Sequence, residues 1–202
     1  MLYPLKKKIA FFDFDGTITK KDTLLEFIKF SKGDFGFFLG FFVNSPYLIA
    51  YKLKIISNQV AKEKILRFFF RKTTEKEFNR QSERFSAEVL PHLIRPDAVQ
   101  EIIKLQNNGV EIVIVSASPE NWIRGWAGKK NLKIIASELE IEQGFLSGKI
   151  KGKNCHGIEK VNRIKKIYDL SVYEEIYAYG DTKGDIPMLS LAHKKYMKPF
   201  RK

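Results

Sequence analysis

The sequence predicts an α/β fold, a doubly wound parallel sheet carrying an inserted all-helical segment. Three observations lead there. Largely apolar runs, at 9–12, 110–115 and 175–179, the last two with one glutamate each, read as strands buried on both faces. From about Arg95 such strands alternate with helical patterns, which is the rhythm of a parallel sheet. Between the first strand and the second, only helical spacing is found. The 202 residues are enough for one domain with a large insertion or for two small ones. The expected division is a core of residues 1–21 and 91–202 with a helical cap of residues 22–90.

Each element has its own signal. Ile9-Ala10-Phe11-Phe12 is the opening strand; it delivers Asp13 and Asp15 to a strand end, and Gly16-Thr17 turns the chain away. Over 21–30, Leu24, Leu25, Phe27 and Ile28 recur at helical spacing, and Gly33, Gly36 and Gly40 then punctuate an aromatic stretch. From Phe35 to Tyr51 there are 17 residues without a charge. Pro46, after Asn44-Ser45, is expected to break or kink a helix there. This stretch reads first as a buried pair of short helices; a lipid-facing surface and a membrane span are the alternatives. A helix over 61–71 follows. Another spans 74–90, opening on the capping-box pair Thr74 and Glu77, with Phe78, Phe85 and Val89 on one face.

Pro96-Asp97 starts a helix ending at Gly109, with Val99, Ile102 and Ile103 on one face. Val110 to Val115 is the second strand, Pro119 opens a helix to about Lys130, and 133–136 is a short strand. Residues 140–151 read as a hairpin turning at Gln143-Gly144. A helix over 157–168 has Val161, Ile164 and Ile167 spaced three apart. Residues 175–179 form a strand running directly into Gly180-Asp181. Residues 185–192 form a last helix, and Tyr196-Met197 a last strand.

Composition narrows the partners. The net charge is +13, which draws phosphate-bearing molecules. The lysines are spread along the chain rather than gathered in one block, so no nucleic acid partner is expected. A single cysteine, Cys155, rules out an intramolecular disulfide and suits a reducing compartment. The N-terminus, Met1 to Lys8, is charged without an apolar stretch behind it, so no leader is expected and the chain reads as cytoplasmic. His92, His156 and His193 have no ligand spacing and read as structural, and Trp122 and Trp126 read as packing.

Chemistry gathers at three strand ends, which share one rim in a parallel sheet. The first ends in Asp13-Phe14-Asp15-Gly16-Thr17, the second in Ser116-Ala117-Ser118, and the third in Gly180-Asp181 with Asp185 four residues on. Two carboxylates at i and i+2 on a strand share a face and repel each other unless a cation or proton lies between them. Hard cations such as Mg2+ prefer carboxylate oxygens, which suits Asp13 and Asp181. A carboxylate can attack phosphorus, a second can move the proton, and a serine, backbone amides and a lysine can hold the phosphoryl oxygens.

These motifs, in this order, resemble the haloacid dehalogenase-like superfamily of hydrolases, with a helical cap of the first type as in its phosphoserine-phosphatase-like members. The resemblance implies a Rossmann-like core and roles residue by residue. Asp13 would be the nucleophile and a Mg2+ ligand. Asp15 would be the general acid and base, its backbone carbonyl also facing the metal. Ser116, with Ala117 beside it, and Lys160 would hold the phosphoryl group, Lys153 being the rival lysine. Asp181 and Asp185 would complete the metal site. Asp15 is absent from the dehalogenase branch, so the resemblance favours phosphoryl chemistry. Motifs one and two stand 103 positions apart, room for the cap. Asp22 stands where such members reach the substrate from beneath the cap, though the usual residue there is glutamate; capping the first cap helix is its other reading. Arg67, Arg71, Arg80 and Arg84 are the cap arginines available for a substrate carboxylate.

The expected function is a Mg2+-dependent phosphatase of a small phosphomonoester, such as phosphoserine. The uncharged stretch and the positive charge keep a second reading open: a lipid-phosphate phosphatase in peripheral contact with an anionic membrane at its inner face. A non-catalytic basic nucleic-acid-binding module is the third, and the intact motifs oppose it.

Overall fold

The structure, a computed structural model, describes residues 7–201; residues 1–6 and Lys202, and with them most of the N-terminal stretch read for a leader, lie outside it. In chain order it forms β1 (Lys7–Phe12), α1 (Thr23–Lys52), α2 (Asn58–Phe70), α3 (Glu75–Glu88), α4 (Leu90–Leu93) and α5 (Pro96–Asn107). Then come β2 (Val110–Pro119), α6 (Glu120–Gly128), β3 (Lys133–Ser137), β4 (Leu139–Glu142) and β5 (Phe145–Ile150). The chain closes with α7 (Ile158–Ile167), β6 (Tyr173–Gly180), α8 (Ile186–Leu189) and β7 (Lys194–Met197).

Five parallel strands make the main sheet, in the order β3-β2-β1-β6-β7. This is the doubly wound sheet expected from the apolar runs. Side chains of β1 alternate between two cores, because successive residues of a strand point to opposite faces. Ala10 and Phe12 join the cluster shared with α5, α6 and the inserted helices, while Ile9 and Phe11 join the one under α7 and α8. The register sets Phe12 opposite both Ile114 and Tyr179, so Asp13, Ser116 and Asp181 come to one rim, beyond which β2 runs on to Pro119.

The inserted helices pack around Phe27, whose ring meets Phe70, Phe78, Phe85 and Trp122 at centroid distances of 4.6–5.5 Å. Trp122 belongs to α6, so one aromatic cluster joins the insertion to the sheet. Thr74 caps α3 by accepting from the Glu77 amide at 3.2 Å, as the capping-box spacing predicts. The hairpin of β4 and β5 turns at Gln143 and Gly144, φ 50° and 81°, a two-residue turn that needs positive φ at both positions. It is tied to the end of α2 by Lys72 N–H on the Leu146 carbonyl and Leu146 N–H on the Thr73 carbonyl.

The aromatic stretch departs from its first reading. It is not a buried pair of short helices broken at Pro46 but part of α1, whose one non-helical residue is Gly33 (φ 70°, ψ 173°), upstream. The proline removes an N–H from the ladder, and the Ser45 hydroxyl donates to the Phe42 carbonyl at 2.7 Å instead. The stretch has one covered side, Gly40 and Asn44, and a broad exposed one. Among the described residues no helix is long and apolar enough to cross a membrane, so the spanning reading falls as well. A smaller correction concerns Ile167, which is exposed, while Lys160, Val161 and Ile164 form the buried side of α7.

Candidate active site

The rim of β1, β2 and β6 opens into a cleft of about 870 Å3 beneath α1 and α2. Asp13, Asp15, Asp22, Ala117, Lys160, Asp181 and Asp185 all line it. Ser116 is fully buried behind that lining, its hydroxyl accepting from the Ser118 amide at 3.0 Å.

Asp13 is buried at the end of β1, its amide on the Tyr179 carbonyl. One carboxylate oxygen accepts from Lys160 Nζ at 2.6 Å and the other from the Thr17 hydroxyl at 3.2 Å. Burial pushes this carboxyl up to about 7, against the pull of Lys160. Lys160 reaches it from the first turn of α7 and also donates to Asp185 at 2.7 Å. Burial works against the ammonium charge, but the two carboxylates outweigh it and hold Lys160 above the usual ammonium range. Asp185 is fixed in turn: its other oxygen accepts from the amides of Asp181 and Thr182 and from the Thr182 hydroxyl. Burial opposes its charge too, yet Lys160 and Thr182 keep its carboxyl below the usual range.

Asp15 faces a different set of partners. It accepts from the Thr23 amide at 2.7 Å, the Thr23 hydroxyl at 2.6 Å and the Ser118 hydroxyl at 2.6 Å. Trp122 Nε1–H donates to Thr23 Oγ1 at 2.9 Å and so orients that hydroxyl. Asp22 does cap α1, accepting from the amides of Leu24 and Leu25, and it lines the cleft as well. Burial, with Asp15 nearby, raises its carboxyl above the ordinary value.

Asp13, Asp181 and Asp185 are all buried and can each offer one oxygen within 4.8 Å of the others. Such an all-carboxylate donor set fits a hard divalent cation of the Mg2+ kind. Burial raises the Asp181 carboxyl, which the Arg201 guanidinium contacts. Gly16 (φ 77°) lets the first turn close over this cluster: a Cβ there would stand 2.4 Å from Asp181 Oδ2.

Several residues in or just behind the cleft have no role that the sequence marks. Ser118 lies past the strand-end serine, and Thr23 lies behind Asp22. Lys62 of α2 donates to the Ala117 carbonyl at 2.8 Å; burial lowers its ammonium, against Asp22 and Asp15. Its place beside Ala61 and ahead of Ile65, on the apolar stripe of α2, is the clue that could have found it. His156, read as structural, lines the cleft, and burial lowers its imidazole. None of Arg67, Arg71, Arg80 and Arg84 lines the cleft; Arg80 pairs with Glu77, and Arg84 with Glu88. Lys153 is exposed and lies outside the lining.

A family model described as haloacid dehalogenase-like hydrolase matches residues 10–190. The chain is 34% identical to Protein CicA of Caulobacter vibrioides over 192 residues, covering 94% of this chain and 85% of that one. Among solved structures, a protein with unknown function from Bordetella pertussis Tohama I superposes with a TM-score of 0.81 at 20% identity, over 93% of this chain and 87% of that chain. A phospho-aspartyl intermediate analogue of phosphoserine phosphatase superposes with a TM-score of 0.68 at 19% identity, over 94% and 85%. At such identities the structural likeness speaks for the fold.

Proposed function

This chain belongs to the haloacid dehalogenase-like hydrolases, and from that premise we propose that it is a Mg2+-dependent phosphomonoesterase working through an aspartyl-phosphate. The observation that carries the reading is the division of labour between two carboxylates on one cleft. Asp13 sits with Lys160 at 2.6 Å inside the acidic cluster, while Asp15 is held apart by Thr23 and Ser118. The Lys160 charge, opposing burial, favours the ionised form of the first, which attacks, and the second is left to carry a proton.

The substrate enters phosphate first, between the strand ends and the cap, residues 22–90 over a core of 1–21 and 91–202. Ala117 and Lys160 hold the phosphoryl oxygens at the cleft, with Ser116 behind them fixing the Ser118 amide. An Asp13 oxygen attacks phosphorus as the ester P–O bond breaks, and the leaving alcohol takes the Asp15 proton. Water then gives a proton to Asp15 and attacks phosphorus; the bond to Asp13 breaks and inorganic phosphate leaves. Asp13, Asp181, Asp185 and the Asp15 backbone carbonyl would hold Mg2+, which when bound neutralises developing phosphoryl charge. Lys160 supplies a fixed positive charge beside the nucleophile throughout. Asp22 and Lys62 face the substrate from the cap side. A free, buried Cys155 is in keeping with a cytoplasmic setting.

The test is hydrolysis of p-nitrophenyl phosphate with and without Mg2+. Asp13→Asn is expected to lower turnover at least roughly a thousandfold, with the circular dichroism of the native chain. Substantial residual turnover in that variant would remove Asp13 from the nucleophile role.

A further inference from the structure

Helix α1 carries apolar side chains both towards the cleft and on its outer surface. The cleft has its acids and Lys160 at the strand ends, but α1 and α2 line it with Leu24, Phe41, Leu48, Ala61 and Ile65. A phosphate ester of a small polar metabolite would leave such a wall facing polar atoms. On the other side of α1, Phe35 is 83% exposed, Phe38 66%, Phe42 78% and Ile49 59%. Their spacing of three, four and seven places them along one face of the helix. Four large apolar side chains on one helix face are a binding surface rather than scattered exposure.

Charge indicates what covers that surface. From Phe35 to Lys62 the chain holds Lys52, Lys54 and Lys62 and no acid. Lys64 stands 4.9 Å from the Tyr47 ring, at the flank of the same helix. An apolar helix face flanked by Lys52 and Lys54, its neighbouring acid Asp34 paired with Lys29 at 3.0 Å, on a chain of net charge +13, complements an anionic lipid surface. No helix among the described residues is long and apolar enough to cross a membrane, so contact through α1 would be contact at the surface.

We propose that the Phe35–Phe42 face of α1 seats on an anionic bilayer, and that the substrate is a lipid phosphomonoester whose apolar chain lies against Leu24, Phe41, Leu48 and Ile65. This rests on the phosphomonoesterase reading and names its substrate class. The overall reaction is the same hydrolysis: the lipid alcohol keeps its oxygen and gains a proton, and phosphate takes the oxygen of water. α1 thereby presents one side to the membrane and the other to the chain of the lipid drawn from it.

Sedimentation with vesicles of phosphatidylcholine alone, and with one-third phosphatidylglycerol, tests the surface. Hydrolysis of long-chain phosphatidate in those vesicles, against phosphoserine in solution, tests the substrate. The native chain should pellet with the anionic vesicles, release in high salt, and turn over the lipid at least tenfold faster than phosphoserine. Phe35→Ser/Phe42→Ser should lose vesicle binding and lipid turnover at least tenfold, with p-nitrophenyl phosphate turnover within twofold of native. Absence of pelleting, a preference for phosphoserine, or a dimer by analytical ultracentrifugation that the double variant abolishes would each overturn the proposal. If the native chain pellets but hydrolyses no phosphomonoester at all, p-nitrophenyl phosphate included, the catalytic reading fails and the substrate assignment fails with it, while the membrane surface stands.

Discussion

Two carboxylates two residues apart answer to different partners here, although Asp15 still helps to raise the Asp13 carboxyl. Asp13 is tied to a lysine and a hydroxyl, Asp15 to an amide and two hydroxyls. Ser118→Ala removes one of the three donors to Asp15. Its expected effect is a kcat about tenfold lower with KM unchanged, since the loss bears on proton transfer and not on phosphate binding; steady-state kinetics on p-nitrophenyl phosphate reads both. Cys155 offers a test of burial. Its thiol is pushed up from 9.0 to about 11 by burial. An acid with a raised folded pKa stabilises fully below its unfolded value, and that contribution is lost as pH climbs towards the folded one. Stability should therefore decline by about 2–3 kcal/mol between pH 9 and 11, and Cys155→Ala should lack that part of the decline in urea titrations. Native chain at pH 8 should also react with a thiol reagent far more slowly than unfolded chain. The acids were legible one by one, because motif spacing and strand ends mark them. The parts played by Ser118, Thr23 and Lys62 were not: a second hydroxyl beside a strand-end serine, or one lysine among 36 basic residues, has no signature until the chain folds back.

Helix α1 shows where local rules mislead. Pro46 looked like a helix breaker, yet the carbonyl it orphans is satisfied by the neighbouring Ser45 hydroxyl, and the helix runs through. Gly33 carries the irregularity instead. Gly40 has a different task. A Cβ there would lie 2.0 Å from the Phe69 ring, so the glycine sets how closely α1 approaches α2. Gly40→Ala should destabilise by about 1–3 kcal/mol through overpacking, read as a lower urea midpoint. It should also widen the cleft, since both helices line it. Strands and capped helices were readable from period and capping residues; which side of α1 is covered over 35–51 was not, because that stretch has no charged face to orient it.

At the scale of the molecule, the insertion and the sheet share one hydrophobic cluster. Phe27 stands where they meet, fully buried, with Trp122 of α6 stacked on it at 4.6 Å. Phe27→Ala should cost about 3–5 kcal/mol. Tryptophan fluorescence and far-ultraviolet circular dichroism should still report coincident unfolding, because α3 and α6 cannot separate without exposing the same cluster. The parallel sheet was foreseeable from buried strands alternating with helices, as was an all-helical insertion. How tightly the insertion is fastened to the core was not, since aromatic contacts between residues 27, 78, 85 and 122 join positions far apart in sequence.

The position of β1 has a consequence for how the chain is made. It is the middle strand of the sheet and the first to leave the ribosome, yet Ile9 pairs with Glu111 on one side and Ile176 on the other. At translation rates of about 5–20 residues per second, the apolar strand waits several seconds for its first neighbour and longer for its second. Both of its edges are open during that interval, and an open strand edge invites pairing with other chains. Recovery of native protein should therefore depend on chaperone supply during synthesis far more than on the stability of the finished fold.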